Sequence, residues 1–119
     1  MSILIDPAAL DALAALQRPG KPDLTARVLG LFRAESPSSI TAMEDGVAEN
    51  DLEAVRIAAH TLKSSSAYVG ARELSDICAQ IERAAREGNF PECLVMTDSV
   101  EELFTETLEA LDALSQKAA

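Results

Sequence analysis

The sequence predicts an all-α protein, an antiparallel up-down four-helix bundle with an additional helix at the N-terminal side. Three observations predict it. Ala and Leu supply 36 of the 119 residues while Gly and Pro contribute five each, a mix that favours helices and starves turn-dense β folds. Apolar residues recur at three- and four-residue spacing along most of the chain. The later connections are too short to join anything except antiparallel neighbours. A chain of 119 residues reads as a single domain over 1–119, able to bury roughly two-thirds of the surface its unfolded form exposes.

Asp6-Pro7 starts the first helix, with Asp6 able to cap and Pro7 pre-set for the first helical position; Leu10, Leu13 and Leu16 form its stripe. Arg18-Pro19-Gly20 stops it. A second start at Lys21-Pro22-Asp23 leads into Leu24, Val28, Leu31 and Phe32, and beyond Pro37 the pattern resumes with Ile40, Met43 and Val47. We read this stretch as one helix kinked at Pro37 rather than two. Asn50 and Glu53 form a capping box for the third helix, whose apolar face carries Leu52, Val55, Ala59, Leu62, Ser66 and Val69 up to Gly70. The fourth runs from Ala71 to Glu87, with Leu74, Ile77, Cys78 and Ile81 inward and Gly88 closing it. Pro91 begins a last helix that places Val100, Leu103, Phe104, Leu108, Leu111 and Leu114 on one face.

Charge and composition exclude several functions. A net charge of −10 repels a phosphate backbone, so nucleic acid is not an expected partner. Neither end shows a basic segment followed by an apolar run and a cleavage site, and no window approaches the ~18 apolar residues of a membrane span. The expectation is a cytoplasmic protein with no membrane contact. One His, with Cys78 and Cys93 lacking paired spacing, cannot build a common zinc site, and both thiols read as buried and reduced. Gly-rich phosphate loops are absent, so the chain is not expected to bind ATP.

The one histidine carries the chemistry. On a helical wheel His60 lies about 130° from the centre of its helix's apolar stripe, which exposes it. Arg56 precedes it by one turn, and Lys63, Ser64 and Ala67 follow on or beside the same face. Flanking cations favour a neutral ring with a free lone pair, a nucleophile, and would stabilise a phosphoryl group placed on it. Ser64 and Ala67 are small and leave room for a partner. Two antiparallel helices hinged at Gly70 and Ala71 bring residue 60 beside residue 82. Glu82 stands there, with Arg86 one turn further, and a carboxylate on Nδ1 would fix the tautomer and leave Nε2 free. That carboxylate opposes the effect of the cations on the ring. The competing reading is an ordinary surface histidine and a plain solvated glutamate.

The segment Ala58-Ala59-His60-Thr61-Leu62-Lys63-Ser64-Ser65-Ser66-Ala67-Tyr68-Val69-Gly70-Ala71 strongly resembles the signature of histidine-containing phosphotransfer (HPt) domains. Leu31-Phe32, Glu35-Ser36-Pro37, Asn50-Asp51, Leu74 through Cys78, Glu82 and Gly88 are similar to the family's other landmarks. The resemblance covers most of the chain. It implies a helical bundle with a four-helix core and a phosphorelay intermediate, in which His60 accepts a phosphoryl group from a receiver-domain aspartate and passes it to another receiver. It also implies that Lys63 is the basic residue beside the phosphohistidine and that Glu82 hydrogen-bonds the imidazole. Many members have Gly where this chain has Ser64, and Tyr68 takes a position often held by a smaller or polar residue.

On this reading the protein is a phosphocarrier without kinase machinery or a cofactor of its own, Mg²⁺ belonging to the partner receiver. Its partners are response-regulator receivers and a sensor or hybrid histidine kinase, met as a monomer. Ser64, Ala67, Ile57, Tyr68 and Arg86 form the access and docking surface, although Ile57 and Tyr68 read at least as well as core residues. A histidine-kinase dimerisation domain fits less well, because Thr61 and Ser65 replace its usual acid and proline. The alternative from another class is a non-phosphorylated helical adaptor in signalling.

Overall fold

The structure, a computed structural model, describes residues 3–118. It contains six helices: α1 (Ala8–Ala15), α2 (Leu24–Ala48), α3 (Leu52–Val69), α4 (Arg72–Arg86), α5 (Phe90–Thr97) and α6 (Val100–Ala118), with no strand among the described residues. The α3–α4 pair is the most closely packed, and α2 lies along α3 while α5 and α6 close the bundle against α2 and α4.

Three successive turns use one device. Asn50, Gly70 and Gly88 adopt left-handed backbone angles (φ 55°, 79° and 75°). At each, two backbone N–H groups reach back to the preceding helix: Asn50 to Val47 and Asp51 to Gly46, Gly70 to Ala67 and Ala71 to Ser66, Gly88 to Ala85 and Asn89 to Ala84. This is the Schellman pattern, which satisfies orphan carbonyls and reverses the chain within two residues. Asn50 therefore ends α2 instead of capping α3. The cap of α3 is Asp51, whose carboxylate accepts the Ala54 N–H, so the capping box expected from Asn50 and Glu53 is corrected.

Pro37 lies inside α2 with its ring exposed, and the helix continues through it as expected. The last predicted helix is in fact two. Ser99 donates its hydroxyl to the Met96 carbonyl, and this local bond competes with helical continuation across Asp98-Ser99, a pair with weak helix preference. Thr97, just before the break, is buried.

The core is continuous from Leu10, Leu29 and Phe32 through Met43, Val55 and Leu62 to Leu74, Cys78, Ile81, Val100 and Leu111. Phe32 of α2 meets Phe104 of α6 edge to face at 5.5 Å between ring centroids, a favourable aromatic geometry. Residues ahead of α1 are tied to the α3–α4 hinge: the Asp6 N–H donates to the Gly70 carbonyl at 2.7 Å. A Cβ at Gly70 would collide with the Asp6 carbonyl oxygen and lie 2.9 Å from the Ala9 Cβ. That position thus demands glycine for its backbone angle and for its neighbours. Gly46 allows a comparable approach of α2 to α3, since a Cβ there would press on Val55 at 2.7 Å.

Candidate functional site

Val55, Ala58, Ala59, Leu62, Ser66 and Val69 are buried on the inner side of α3, which turns His60 outward. Its side chain is 57% exposed. From the Gly70 hinge, α4 returns antiparallel and sets Glu82 opposite, with His60 Nδ1 2.9 Å from Glu82 Oε2. Glu82 itself is buried, its side chain only 6% exposed. Lys63 Nζ donates to Oε1 at 2.6 Å and Arg86 to Oε2 at 3.1 Å. Three donors from two helices therefore converge on one carboxylate.

The Lys63 hydrogen bond holds the Glu82 carboxyl below the usual carboxylate range; burial opposes this, and the His60 hydrogen bond adds to it. Glu82 is consequently ionised at neutral pH and can only accept. The proton between it and the ring must then be donated by Nδ1, which fixes the tautomer of the neutral ring and leaves the lone pair on Nε2. That nitrogen belongs to an exposed ring. The arrangement presents an oriented nucleophile to solvent, with cationic groups beside it.

The expected residues come together in part. Ser64 and Ala67 are exposed beside the ring, as the wheel predicted. Arg56 is different. It is taken by Glu53 one turn earlier, with its Nε donating to Oε2 at 3.0 Å, and this pairing lowers the Glu53 carboxyl's affinity for its proton. Its expected place as a free cation for the phosphoryl group is corrected to that of a partner of Glu53. Lys63 and Arg86 likewise rest on Glu82 instead of standing free. The solvated-glutamate reading of Glu82 fails, because hinge geometry and cation cover bury it. Core packing of Ile57 and Tyr68 also fails: they are 53% and 59% exposed. Tyr68 joins Leu31, Phe32, Thr61 and Ser64 along an open groove of about 540 Å³ between α2 and α3.

Two contributors escaped the sequence reading. Glu53 was legible from its three-residue spacing to Arg56. Ser75 of α4 donates to the Lys63 carbonyl at 3.1 Å, stitching the hairpin beside the site; only counting across the hinge could have suggested it. Cys78 and Cys93 are buried and unpaired, and burial pushes the Cys78 thiol up to about 12, which leaves it protonated and inert at neutral pH. No cluster of His, Cys, Asp and Glu among the described residues has a metal-holding geometry. No described helix is long and apolar enough to cross a membrane.

Comparison with known proteins adds an independent line. The Hpt domain family model matches residues 27–117. Histidine-containing phosphotransfer protein 2 of Arabidopsis thaliana is 31% identical over 85 residues, covering 69% of this chain and 54% of that protein. The chain thus spans about half the length of this curated relative. The crystal structure of a histidine-containing phosphotransfer protein from maize superposes with a TM-score of 0.80 at 25% identity, over 98% of this chain and 88% of the other. Histidine-containing phosphotransfer protein B from Pseudomonas aeruginosa gives 0.81 at 22% identity, over 98% of both chains, and shares the fold.

Proposed function

This chain belongs to the Hpt domain family, and from that membership we propose that it is a phosphorelay intermediate whose phosphoacceptor is His60. One observation carries the reading: the family's histidine is exposed while its Nδ1 is tied to the buried carboxylate of Glu82 at 2.9 Å. In the forward step the Nε2 lone pair attacks the phosphorus of a receiver's aspartyl phosphate. An N–P bond forms, the P–O bond to the aspartate breaks, and the electron pair leaves with the aspartate carboxylate. Transfer to a second receiver reverses these bonds.

Hpt domains are phosphocarriers. The Mg²⁺ and the groups that stabilise the transferring phosphoryl are supplied by the receiver, so the carrier's contribution is position and tautomer. Lys63 and Arg86, held within reach of the ring by Glu82, turn toward the added phosphoryl charge. A receiver docks across Ser64 and Ala67, with Ile57 and the Leu31–Tyr68 groove giving it apolar area. One copy of the chain completes the site, and a sensor or hybrid histidine kinase lies upstream.

The test is incubation with a phosphorylated receiver and Mg²⁺, followed by assay for acid-labile, base-stable label. Uptake by the native protein and none by His60→Gln is the expected result. Failure of the native protein to label across a panel of receivers leaves the adaptor function in its place.

A further inference from the structure

We propose that Ser64 is a ligand of the phosphoryl group carried on His60: its hydroxyl donates a hydrogen bond to a phosphoryl oxygen and biases the transfer equilibrium toward the carrier. The inference rests on the carrier reading above and deepens it. Glycine, which many members of the family have at this position, offers no side-chain donor. The contribution is one that this chain's serine adds.

Two features of α3 place the hydroxyl. At about 100° per residue, Lys63 lies about 60° to one side of His60 and Ser64 about 40° to the other. Lys63 faces α4 and Glu82, while Ser64 lines the groove toward α2 with Leu31 and Tyr68. Positions four apart stand about 5–6 Å between Cβ atoms, and helical side chains lean toward the N-terminus, which tilts Ser64 back toward the ring. A phosphoryl group on Nε2 therefore has Lys63 and Arg86 on its α4 side and Ser64 on its α2 side.

Ser64 is also the uncommitted donor of this face. Thr61 donates its hydroxyl to the Ile57 carbonyl at 3.1 Å, and Ser65 to the Thr61 and Leu62 carbonyls at 3.2 Å. Lys63 and Arg86 are held by Glu82, and Arg56 by Glu53. The exposed Ser64 makes no side-chain hydrogen bond among the described residues. It turns to a phosphoryl oxygen by giving up water alone, whereas each cation must leave a carboxylate. Exchanging water for an anionic acceptor brings a modest net gain. That gain exists only while His60 carries the phosphoryl group, so it stabilises the phosphorylated carrier relative to the phosphorylated receiver.

The experiment phosphorylates the whole protein on His60 with phosphoramidate, which needs no receiver, and removes the excess reagent. It then measures kcat/KM for transfer in both directions, with Mg²⁺ and a receiver that exchanges with the native protein. A native protein that takes no label on His60 overturns the carrier reading itself. Given labelling, Ser64→Ala and Ser64→Gly, which differ in size but both lack the hydroxyl, each shift the ratio of forward to reverse kcat/KM about fivefold toward the phosphorylated receiver. A purely steric role for the side chain changes both directions by the same factor, because the equilibrium between the free proteins does not depend on docking. Helical circular dichroism checks folding, and if Ser64→Gly frays α3, Ser64→Ala alone decides. An unchanged ratio in Ser64→Ala overturns the proposal and leaves Ser64 a surface residue whose size alone meets the receiver.

Discussion

The two levels of the α3–α4 hairpin are held by different physics. At the hinge, Gly70 is specified by shape: a left-handed backbone angle, two turn hydrogen bonds and an Asp6 carbonyl too close for any side chain. At the level of His60, ten residues earlier in α3, specification is by charge, with three donors on one buried carboxylate. The hinge decides which residues face each other across the hairpin, and the site uses that register. Steric rigidity is therefore placed where it fixes geometry, and adaptable ion pairs where chemistry must come and go.

The largest effect is expected at the hinge. Gly70→Ala is expected to destabilise the protein by about 3 kcal/mol, combining a left-handed alanine with an overpacked contact, and to release the segment around Asp6 to protease. Gly88→Ala shares the backbone angle but meets open space, so its cost is about 1 kcal/mol. Urea unfolding of both variants measures the difference. Equal losses would mean that the close approach of Asp6 contributes nothing.

At the site the expected stability effect is smaller and depends on pH. The Glu82 carboxyl is held below its ordinary value by Lys63 first and His60 after burial. Its stabilising contribution is thus complete above the ordinary carboxylate range and disappears as pH falls through the lowered folded value. Acid titration of stability should show a shallower decline for Glu82→Gln than for the native protein over that window. A parallel decline would assign acid sensitivity elsewhere. Smallest of all is Ser66→Ala. The Ser66 hydroxyl is buried on α3 without a partner among the described residues, so its removal should raise stability by about 0.5 kcal/mol in thermal or urea unfolding. A loss would reveal a bond that this hydroxyl makes.

The bundle and much of the site were legible in the sequence because both depend on periodicity. Leu62 and His60 are assigned to opposite faces by the helical repeat alone, and counting back from Gly70 finds Glu82 because a two-residue hinge leaves little freedom in register. What was not legible depends on competition between close alternatives. Asn50 and Asp51 are both good caps, and the left-handed turn at Asn50 awards the role to Asp51. Asp98-Ser99 interrupts a sound apolar pattern through a side-chain bond one turn back. Arg56 could face His60 or Glu53, and only coordinates show which acid holds it. Ile57 and Tyr68 look like core by composition, yet α3 has already filled its inner face with Val55, Leu62 and Val69.

On the proposed mechanism Glu82 commits Nδ1 and leaves Nε2 as the reacting atom. Nitrogen-15 and phosphorus-31 NMR of the phosphorylated protein identifies the ring nitrogen that carries the phosphoryl group. Phosphorus on Nε2 alone, with the proton retained on Nδ1, is the expected result. Phosphorus on Nδ1, or distributed over both nitrogens, would contradict it.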